Sequence, residues 1–457
     1  MHVDHDTIVA ISTPPGRGGL GVVRLSGFEA LSIAGGLLRL GKPLTPAKAR
    51  FCHIVDDAGA VLDEAVVTYF AAPHSYTTED VVEIAAHGAP VLLDYLVRGA
   101  IARGARLAEP GEFTQRAFLA GRLDLTQAEA VNDLISAQTL HQAKVAAAQL
   151  GGAIGHALAP IKQALLALIA TLEAGVDFAE DDLDLLADAE IQKRIAALEA
   201  ALAALAGTYR YGRIVREGLT LAIVGAPNAG KSSLFNRLLE RDRAIVTALP
   251  GTTRDTLAER LALDGIPIEL VDTAGLREIA ATPETEAERA GIERSRLTIA
   301  DADLVLHVVD GTTTEAAGAG LSREDAALQT ELRGRPSILV INKSDLAPDV
   351  AAGFPTAVAA SALTGIGIDD LRQAIRATIA AQPPGDSALV TNLRQAGAIT
   401  AASACLGKAK LSAKDNIPHE FLLLDLHEAL GHLDELTGAT APESVLNLIF
   451  STFCIGK

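Results

Sequence analysis

The sequence has no tryptophan, one methionine, three cysteines and only 4 % aromatic residues in 457. Each shortage excludes something. So few aromatics leave no extended base-stacking platform for single-stranded nucleic acid. Cys52, Cys405 and Cys454 are odd in number and far apart, so they supply neither a disulfide framework nor a CxxC zinc knuckle, and they fit a reducing compartment. Basic charge is also short. Against 57 Asp and Glu stand 39 Lys and Arg, a net charge of −18, which argues against broad phosphate-backbone binding and makes any nucleic-acid contact local. Apolar stretches such as residues 164–171 and 304–309 fall short of the ~18 residues that span a bilayer. The opening Met1-His2-Val3-Asp4-His5-Asp6 reaches its first basic residue only at Arg17, unlike a secretory signal. The expectation is a cytoplasmic chain without a membrane segment.

What is present is ample for a core: 49 % apolar and 21 % charged residues, in a length that suits two to four globular domains. Residues 1–120 mix short β-branched runs (7–11, 21–25, 65–70, 81–84) with turn clusters such as Pro14-Pro15-Gly16-Arg17-Gly18-Gly19, which reads as an α+β domain. From about Thr126 to Gly207 Ala and Leu recur at helical spacing, with Pro160 the one proline. The acidic run 177–184 between those helices reads as a solvated surface segment. From Leu219 the pattern becomes compact apolar runs (219–224, 268–271, 304–309, 338–341) alternating with helix-like stretches, which predicts a parallel sheet covered on both faces. That region closes near Gln382-Pro383-Pro384-Gly385-Asp386, and residues 387–457 are helical again. An α/β domain inserted into one helical domain is the simplest organisation; separate helical domains are the alternative.

Gly225-Ala226-Pro227-Asn228-Ala229-Gly230-Lys231-Ser232 is a G-x-x-x-x-G-K-S phosphate loop between a predicted strand and a helix-like run that begins at Ser233. Its glycines let backbone N–H groups turn toward phosphates, Lys231 supplies a point charge, and the Ser232 hydroxyl is a magnesium ligand. Asp272-Thr273-Ala274-Gly275 ends the next apolar strand, where a carboxylate reaches the metal through water and a glycine N–H senses a γ-phosphate. Asn342-Lys343-Ser344-Asp345 ends another strand. The Asp345 carboxylate there accepts from guanine N1–H and the exocyclic amine, a donor pair that adenine does not offer, so the expected nucleotide is GTP. Ser361-Ala362-Leu363 is a weaker match to the last guanine-contacting loop. In Gly251-Thr252-Thr253-Arg254-Asp255, Thr253 is the expected switch threonine on magnesium and the γ-phosphate. Position 276 is Leu, where many hydrolysing G proteins carry a water-orienting Gln. Help must come from elsewhere, and the stretch 276–292 offers Glu278, Glu284, Glu286, Glu288 and Arg289.

The whole chain resembles one family, the bacterial and organellar tRNA wobble-uridine modification GTPases, MnmE (TrmE). The resemblance rests on Thr7-Ile8-Val9-Ala10 with Thr13-Pro14-Pro15-Gly16-Arg17-Gly18-Gly19 and Arg24-Leu25-Ser26-Gly27. It rests equally on Pro110-Gly111-Glu112-Phe113-Thr114 with Leu123-Asp124-Leu125-Thr126-Gln127-Ala128-Glu129-Ala130, and on the ending Phe453-Cys454-Ile455-Gly456-Lys457. It implies a multi-domain α/β protein: an N-terminal α+β folate-binding and dimerising domain (1–120), a discontinuous helical domain (121–215 and 386–457) and an inserted P-loop GTPase domain (216–385). It further implies a homodimer that works with an FAD-containing partner, MnmG, on C5 of the tRNA wobble uridine. The implied one-carbon donor is 5-formyltetrahydrofolate or 5,10-methylenetetrahydrofolate. GTP hydrolysis is expected to gate the cycle, with potassium in place of an arginine finger.

Carried over by position, Asn228, Thr247, Leu249 and Thr252 surround potassium, and Ser232 and Thr253 hold magnesium. Asn228, Ala229, Gly230, Lys231, Ser232, Ser233, Thr247, Thr253, Asp272, Thr273, Ala274, Gly275, Asn342, Lys343, Asp345, Ser361 and Ala362 bind GTP. Glu288 takes the water-orienting position, with Glu286 and Glu284 as rivals because the stretch before it is about four residues longer than is usual in the family. Arg24, Glu83, Arg122 and Lys457 are the implied folate contacts, Arg122 standing where the family commonly has Lys. Cys454 is the implied thiol near the modification chemistry. The competing reading is a GTP-switched module for ribosome assembly, which predicts a basic RNA-binding appendage with a Gly-x-x-Gly loop after the G domain. Residues 387–457 contain no such loop.

Overall fold

The computed structural model describes residues 6–177, 187–242, 258–272, 302–313, 321–379, 388–415 and 417–457. The chain forms two compact units: Met1–Asn132 with Gln149–Ile195 and Ala404–Lys457, and Asp133–Ala148 with Ala196–Ser403.

In the first unit the strands are β1 (Ile8–Ile11), β2 (Gly18–Ser26), β3 (Leu38–Arg39), β4 (Arg50–Val55), β5 (Val61–Phe70), β6 (Val81–Gly88) and β7 (Arg106–Leu107). They make one sheet in the order β3-β4-β5-β6-β2-β1-β7, antiparallel except for the β1–β7 pair. Side chains alternate across a strand, and here the alternation sorts the sheet into two faces. Val9, Val23, Leu25, Ile54, Val67, Val82 and Ile84 pack with Ile33, Leu93 and Leu96 from the helices Ala30–Gly35 and Pro90–Ala102, and with Leu37 just after the first. The intervening positions, Arg24 and Glu83 among them, fall on the other face, where β2 and β6 pair Arg24 directly with Glu83. On that face Ile8, Ala10, Ala108 and Phe113 form a smaller apolar cluster with Tyr76 against it.

The helical part of this unit includes Glu112–Leu119, Ala153–Asp177, His419–Thr437 and Glu443–Ser451. The helix that begins at Ala153 continues through Pro160, the one proline of residues 126–207. Over Ala153–Val176 it is long and apolar enough to cross a membrane, with a mean hydropathy of 1.5, which the shorter runs counted in the sequence did not register. Its stripe Ile154, Leu158, Ile161, Leu165, Leu168 and Leu172 is buried. The helix packs along His419–Thr437 and is pinned to it by Lys162–Asp434 (2.5 Å) and His427–Glu173 (3.1 Å). The extreme C-terminus is woven into the N-terminal sheet. Ile455 bridges to Pro110, Ser12 Oγ donates to the Gly456 carbonyl (3.1 Å), and the Phe113 N–H donates to the Lys457 carbonyl (3.1 Å). Gly456 has φ +95°, and a Cβ there would collide with the Ile11 carbonyl, so only glycine suits this seat.

The second unit is built on β8 (Leu219–Val224), β9 (Ala258–Leu263), β10 (Ile266–Asp272), β11 (Leu304–Asp310), β12 (Ser337–Asn342) and β13 (Val358–Ala359), in the order β13-β12-β11-β8-β10-β9. Both faces are covered. Leu219, Leu221 and Ile223 of β8 point into one core with Leu234, Leu238, Leu371 and Ile375, and Ala222 and Val224 point into another with Val305 and Leu332. That is why these strands read as unbroken apolar runs. The all-parallel expectation needs one correction: β9 pairs antiparallel with β10. Asp264 (φ +52°) and Gly265 (φ +81°) join them, and two successive positive φ values make the tight turn whose twist suits a hairpin.

Candidate functional site

The phosphate loop leaves β8 and enters the helix Lys231–Asp242. Its shape needs unusual backbone at three positions: Gly225 (φ +151°), Asn228 (φ +62°) and Gly230 (φ +86°). A Cβ on Gly225 would strike the Val308 carbonyl, and one on Gly230 would strike Nδ2 of Asn342. The glycines therefore answer both to conformation and to close approach. Lys231 is buried, and its Nζ donates to the carbonyls of Gly225 (3.1 Å) and Ala226 (2.8 Å). Its ammonium is thus folded over the loop at the positive end of a helix, an arrangement suited to phosphate oxygens. Ser232, Ser233 and Asn228 are exposed beside it.

Asn342, at the end of β12, is nearly fully buried. Its side chain donates to the Ala229 carbonyl (2.8 Å) and accepts from the Ala362 N–H (3.1 Å), so one amide ties the phosphate loop to the Ser361-Ala362 loop. Arg237 secures that loop from the other side, donating to the carbonyls of Ala362 (2.9 Å) and Leu363 (2.5 Å). Lys343 takes a left-handed φ of +60°, and its Nζ meets Asp310 Oδ2 at 2.6 Å. Burial by itself would raise the Asp310 carboxyl, but hydrogen bonds from Lys343 and Thr312 outweigh it and hold the group below the usual aspartate range. Asp310 is a site residue that the motifs did not identify; its signal is an acid at the carboxyl end of a buried parallel strand, where α/β sheets bind ligands. Asp345, Leu346 and Leu363 are exposed at this rim. Asp272 ends β10 opposite Ile223 of β8. Thr247, Leu249, Thr252, Thr253, Thr273, Ala274, Gly275, Leu276 and Glu288, with its rivals Glu284 and Glu286, lie outside the described residues, as does the side chain of Asp272.

In the N-terminal unit the four positions expected to contact folate converge from remote parts of the chain. The Arg24 guanidinium pairs with Glu83 (2.8 Å) and lies 5.7 Å from the Tyr76 ring centre and 5.6 Å from that of Phe113. Arg122 donates to the Ser75 carbonyl (2.6 Å), and Lys457 is tied by its carbonyl to Phe113. Burial pushes the Tyr76 phenol up, opposed by its Thr114 partner and by the charges of Arg24 and Arg122. An aromatic-backed Arg–Glu pair with a second arginine nearby offers stacking surface, a carboxylate for an N–H edge and cations for carboxylates.

Beside it lies a network that the motifs did not reveal: Arg116 bonds Asp6 (2.6 Å), Glu112 (2.9 Å) and Glu79 (3.1 Å), and Arg106 bonds Asp6 and Glu112 (both 2.7 Å). Burial would raise the Asp6 and Glu112 carboxyls, yet the two arginines keep both below their usual values. Cys454 is exposed, whereas Cys52 and Cys405 are buried, and burial pushes the Cys52 thiol up to about 11. Phe453, packed on Phe450, and Ile455, bridged to Pro110, anchor the chain on either side of Cys454.

Comparison with known proteins agrees with this architecture at both ends of the chain. Residues 7–122 match the family described as GTP-binding protein TrmE N-terminus, and residues 125–454 match the MnmE helical domain. The tRNA modification GTPase MnmE of Koribacter versatilis is 54 % identical over the full length of both chains. That of Aquifex aeolicus is 41 % identical over 99 % of this chain and 100 % of its own. Among solved structures, the G domain of the T. maritima FeoB iron transporter is 26 % identical over 35 % of this chain and 98 % of its own, with a TM-score of 0.25. The chain belongs to the MnmE family of tRNA modification GTPases.

Proposed function

We propose that this chain hydrolyses GTP to gate the modification of C5 of the tRNA wobble uridine, using a one-carbon unit from a tetrahydrofolate and acting as a homodimer with an FAD-containing partner of the MnmG type. The observation that supports it most is the coexistence of two built clusters: a phosphate loop tied to Asn342, and an Arg24–Glu83 pair backed by Tyr76 and Phe113. In this reading the domains follow residues 1–120, 121–215 with 386–457, and 216–385.

Lys231 would release the loop carbonyls and neutralise the outer phosphates as GTP enters. Asp345 would accept from guanine while Asn342 holds its loop in place, and the Ala362 region would meet the base oxygen. Ser232 and Thr253 fit a magnesium ion, since both offer hydroxyl oxygen. Asn228 with Thr247, Leu249 and Thr252 fits potassium through neutral oxygens. These cations supply charge stabilisation for the transferring phosphoryl group. Glu288 orients the attacking water in place of the missing Gln. In the other unit Glu83 would accept from a pterin N–H edge, with Arg24, Arg122 and Lys457 toward carboxylates, and Cys454 near the modification chemistry.

The test is the modification profile of tRNA wobble uridines with and without the protein, together with GTP turnover in potassium and in sodium. Loss of the modified uridine and faster turnover in potassium are expected. Retained modification, or equal turnover in the two buffers, overturns the proposal. Glu288→Ala should slow hydrolysis by on the order of 10²-fold or more while leaving nucleotide affinity nearly unchanged.

A further inference from the structure

One cluster of chemically able side chains belongs to neither site. It joins the helix Leu393–Lys414 to the helix His419–Thr437. Cys405 stands nine residues before the end of the first and Glu428 nine residues after the start of the second, so the antiparallel hairpin sets them opposite each other. His432 follows Glu428 by one helical turn and shares its face. One ligand atom from each of the three, the Cys405 sulfur, a Glu428 oxygen and a His432 ring nitrogen, lies within 4.8 Å of the other two. Cys405 is buried, Glu428 exposed and His432 half-buried, so the cluster opens to solvent on one side.

We propose that Cys405, Glu428 and His432 form a site for a borderline-soft divalent cation, zinc by its chemistry, with Asp425 or water as the fourth donor.

The donor set argues for this class of ion. Sulfur and imidazole favour zinc-like cations, whereas magnesium and calcium take oxygen alone. A thiolate and a carboxylate together neutralise a divalent charge. A tetrahedral site with bonds of about 2.0–2.3 Å puts its donors roughly 3.3–3.8 Å apart, so donors within 4.8 Å of one another need draw in by no more than about 1–1.5 Å. The exposed Glu428 side chain is free to make most of that adjustment. His432 Nδ1 also lies 3.8 Å from the Glu435 carboxylate, whose negative charge adds to the attraction for a cation. Without an ion the thiol is kept protonated by burial, by the Glu428 carboxylate that accepts its hydrogen bond, and by Asp425, with Lys408 opposing. Binding therefore displaces one proton from Cys405 to solvent as the sulfur–metal bond forms. The bound ion would staple the two helices together, and it is distinct in chemistry from the all-oxygen magnesium position at the phosphate loop.

The experiment uses the full chain, stripped by a chelator and then titrated with cobalt(II) in excess magnesium, which fills oxygen-only sites. One equivalent should bind with a thiolate-to-cobalt charge-transfer band, and zinc should bleach it. Cys405→Ser should abolish the band, His432→Ala should weaken binding at least tenfold, and Cys454→Ser should leave the band intact. Should Cys405→Ser fail to fold, Glu428→Gln at an exposed position provides the test, with binding weakened at least tenfold at unchanged helicity. Absence of a band in the parent chain, survival of the band in Cys405→Ser, or its loss in Cys454→Ser overturns the proposal. None of these outcomes depends on GTP turnover or tRNA modification.

Discussion

The phosphate loop and the Arg24–Glu83 cluster are built by opposite routes. Residues 225–232 form the phosphate loop in one contiguous stretch of backbone that leads into a helix, and Asn342 ties that stretch to the Ser361-Ala362 loop. The second site takes Arg24 from β2, Glu83 from β6, Tyr76 from the connection between β5 and β6, Phe113 from the helix Glu112–Leu119, and a carbonyl from the last residue of the chain. A site made of backbone is written locally, whereas a site made of side chains depends on the whole unit being folded.

The largest expected effect is at Lys231. Lys231→Ala removes the cation folded over the phosphate loop and should cut GTP affinity and turnover by on the order of 10²–10³-fold, with tetrahydrofolate binding, measured by calorimetry, unchanged. A matching loss of folate binding would break the separation drawn between the two sites.

The second tests how widely the Arg24–Glu83 cluster depends on the rest of its unit. Arg24→Ala leaves Glu83 without its partner, and Gly456→Val forces a side chain into the Ile11 carbonyl at the opposite end of the chain. Each should destabilise its unit by about 1–3 kcal/mol and weaken folate binding at least tenfold while sparing GTP affinity. If Gly456→Val were silent in thermal denaturation and folate titration, the C-terminal segment would be a tether and not a wall.

The smallest effect is acid sensitivity. Asp6, Asp63, Glu112 and Glu190 of the first unit all have carboxyls held below their usual values, against Asp310 alone among the described residues of the second. A carboxyl lowered on folding stabilises fully above its unfolded value, and that contribution is lost as pH falls through the folded one. As pH falls below about 5, hydrogen exchange should therefore rise earlier in the N-terminal unit, and Glu112→Gln should flatten that dependence.

The same contrast governs how much was legible beforehand. β8, β10, β11 and β12 stand out because strands buried on both faces must be apolar throughout. β9 escapes because Ala258-Glu259-Arg260-Leu261-Ala262-Leu263 has the composition of a helix, and it is a strand through its ladder to β10 and the Asp264-Gly265 turn. β4 escapes because only Cys52 and Ile54 of its six residues are buried. Asn342 and Lys343 could be named from their motif, but Asp310 could not, since only the register between β11 and β12 sets it against Lys343. The Arg116 network was invisible for the same reason: Asp6, Glu79, Arg106 and Glu112 are ordinary surface charges until folding desolvates them together.

The sequence by itself determined the nucleotide chemistry and the layered α/β character of its domain, because both follow from local rules: glycine where φ is positive, lysine at a helix start, apolar residues where two faces are covered. Only the tertiary structure decided that Lys457 closes on Phe113, that Arg24 rests on two aromatic rings, and that Cys405 meets Glu428 and His432 across a helical hairpin. The physical reason is that contacts between remote residues pay their chain-ordering entropy through the burial of the whole unit, and no short stretch of sequence carries that information.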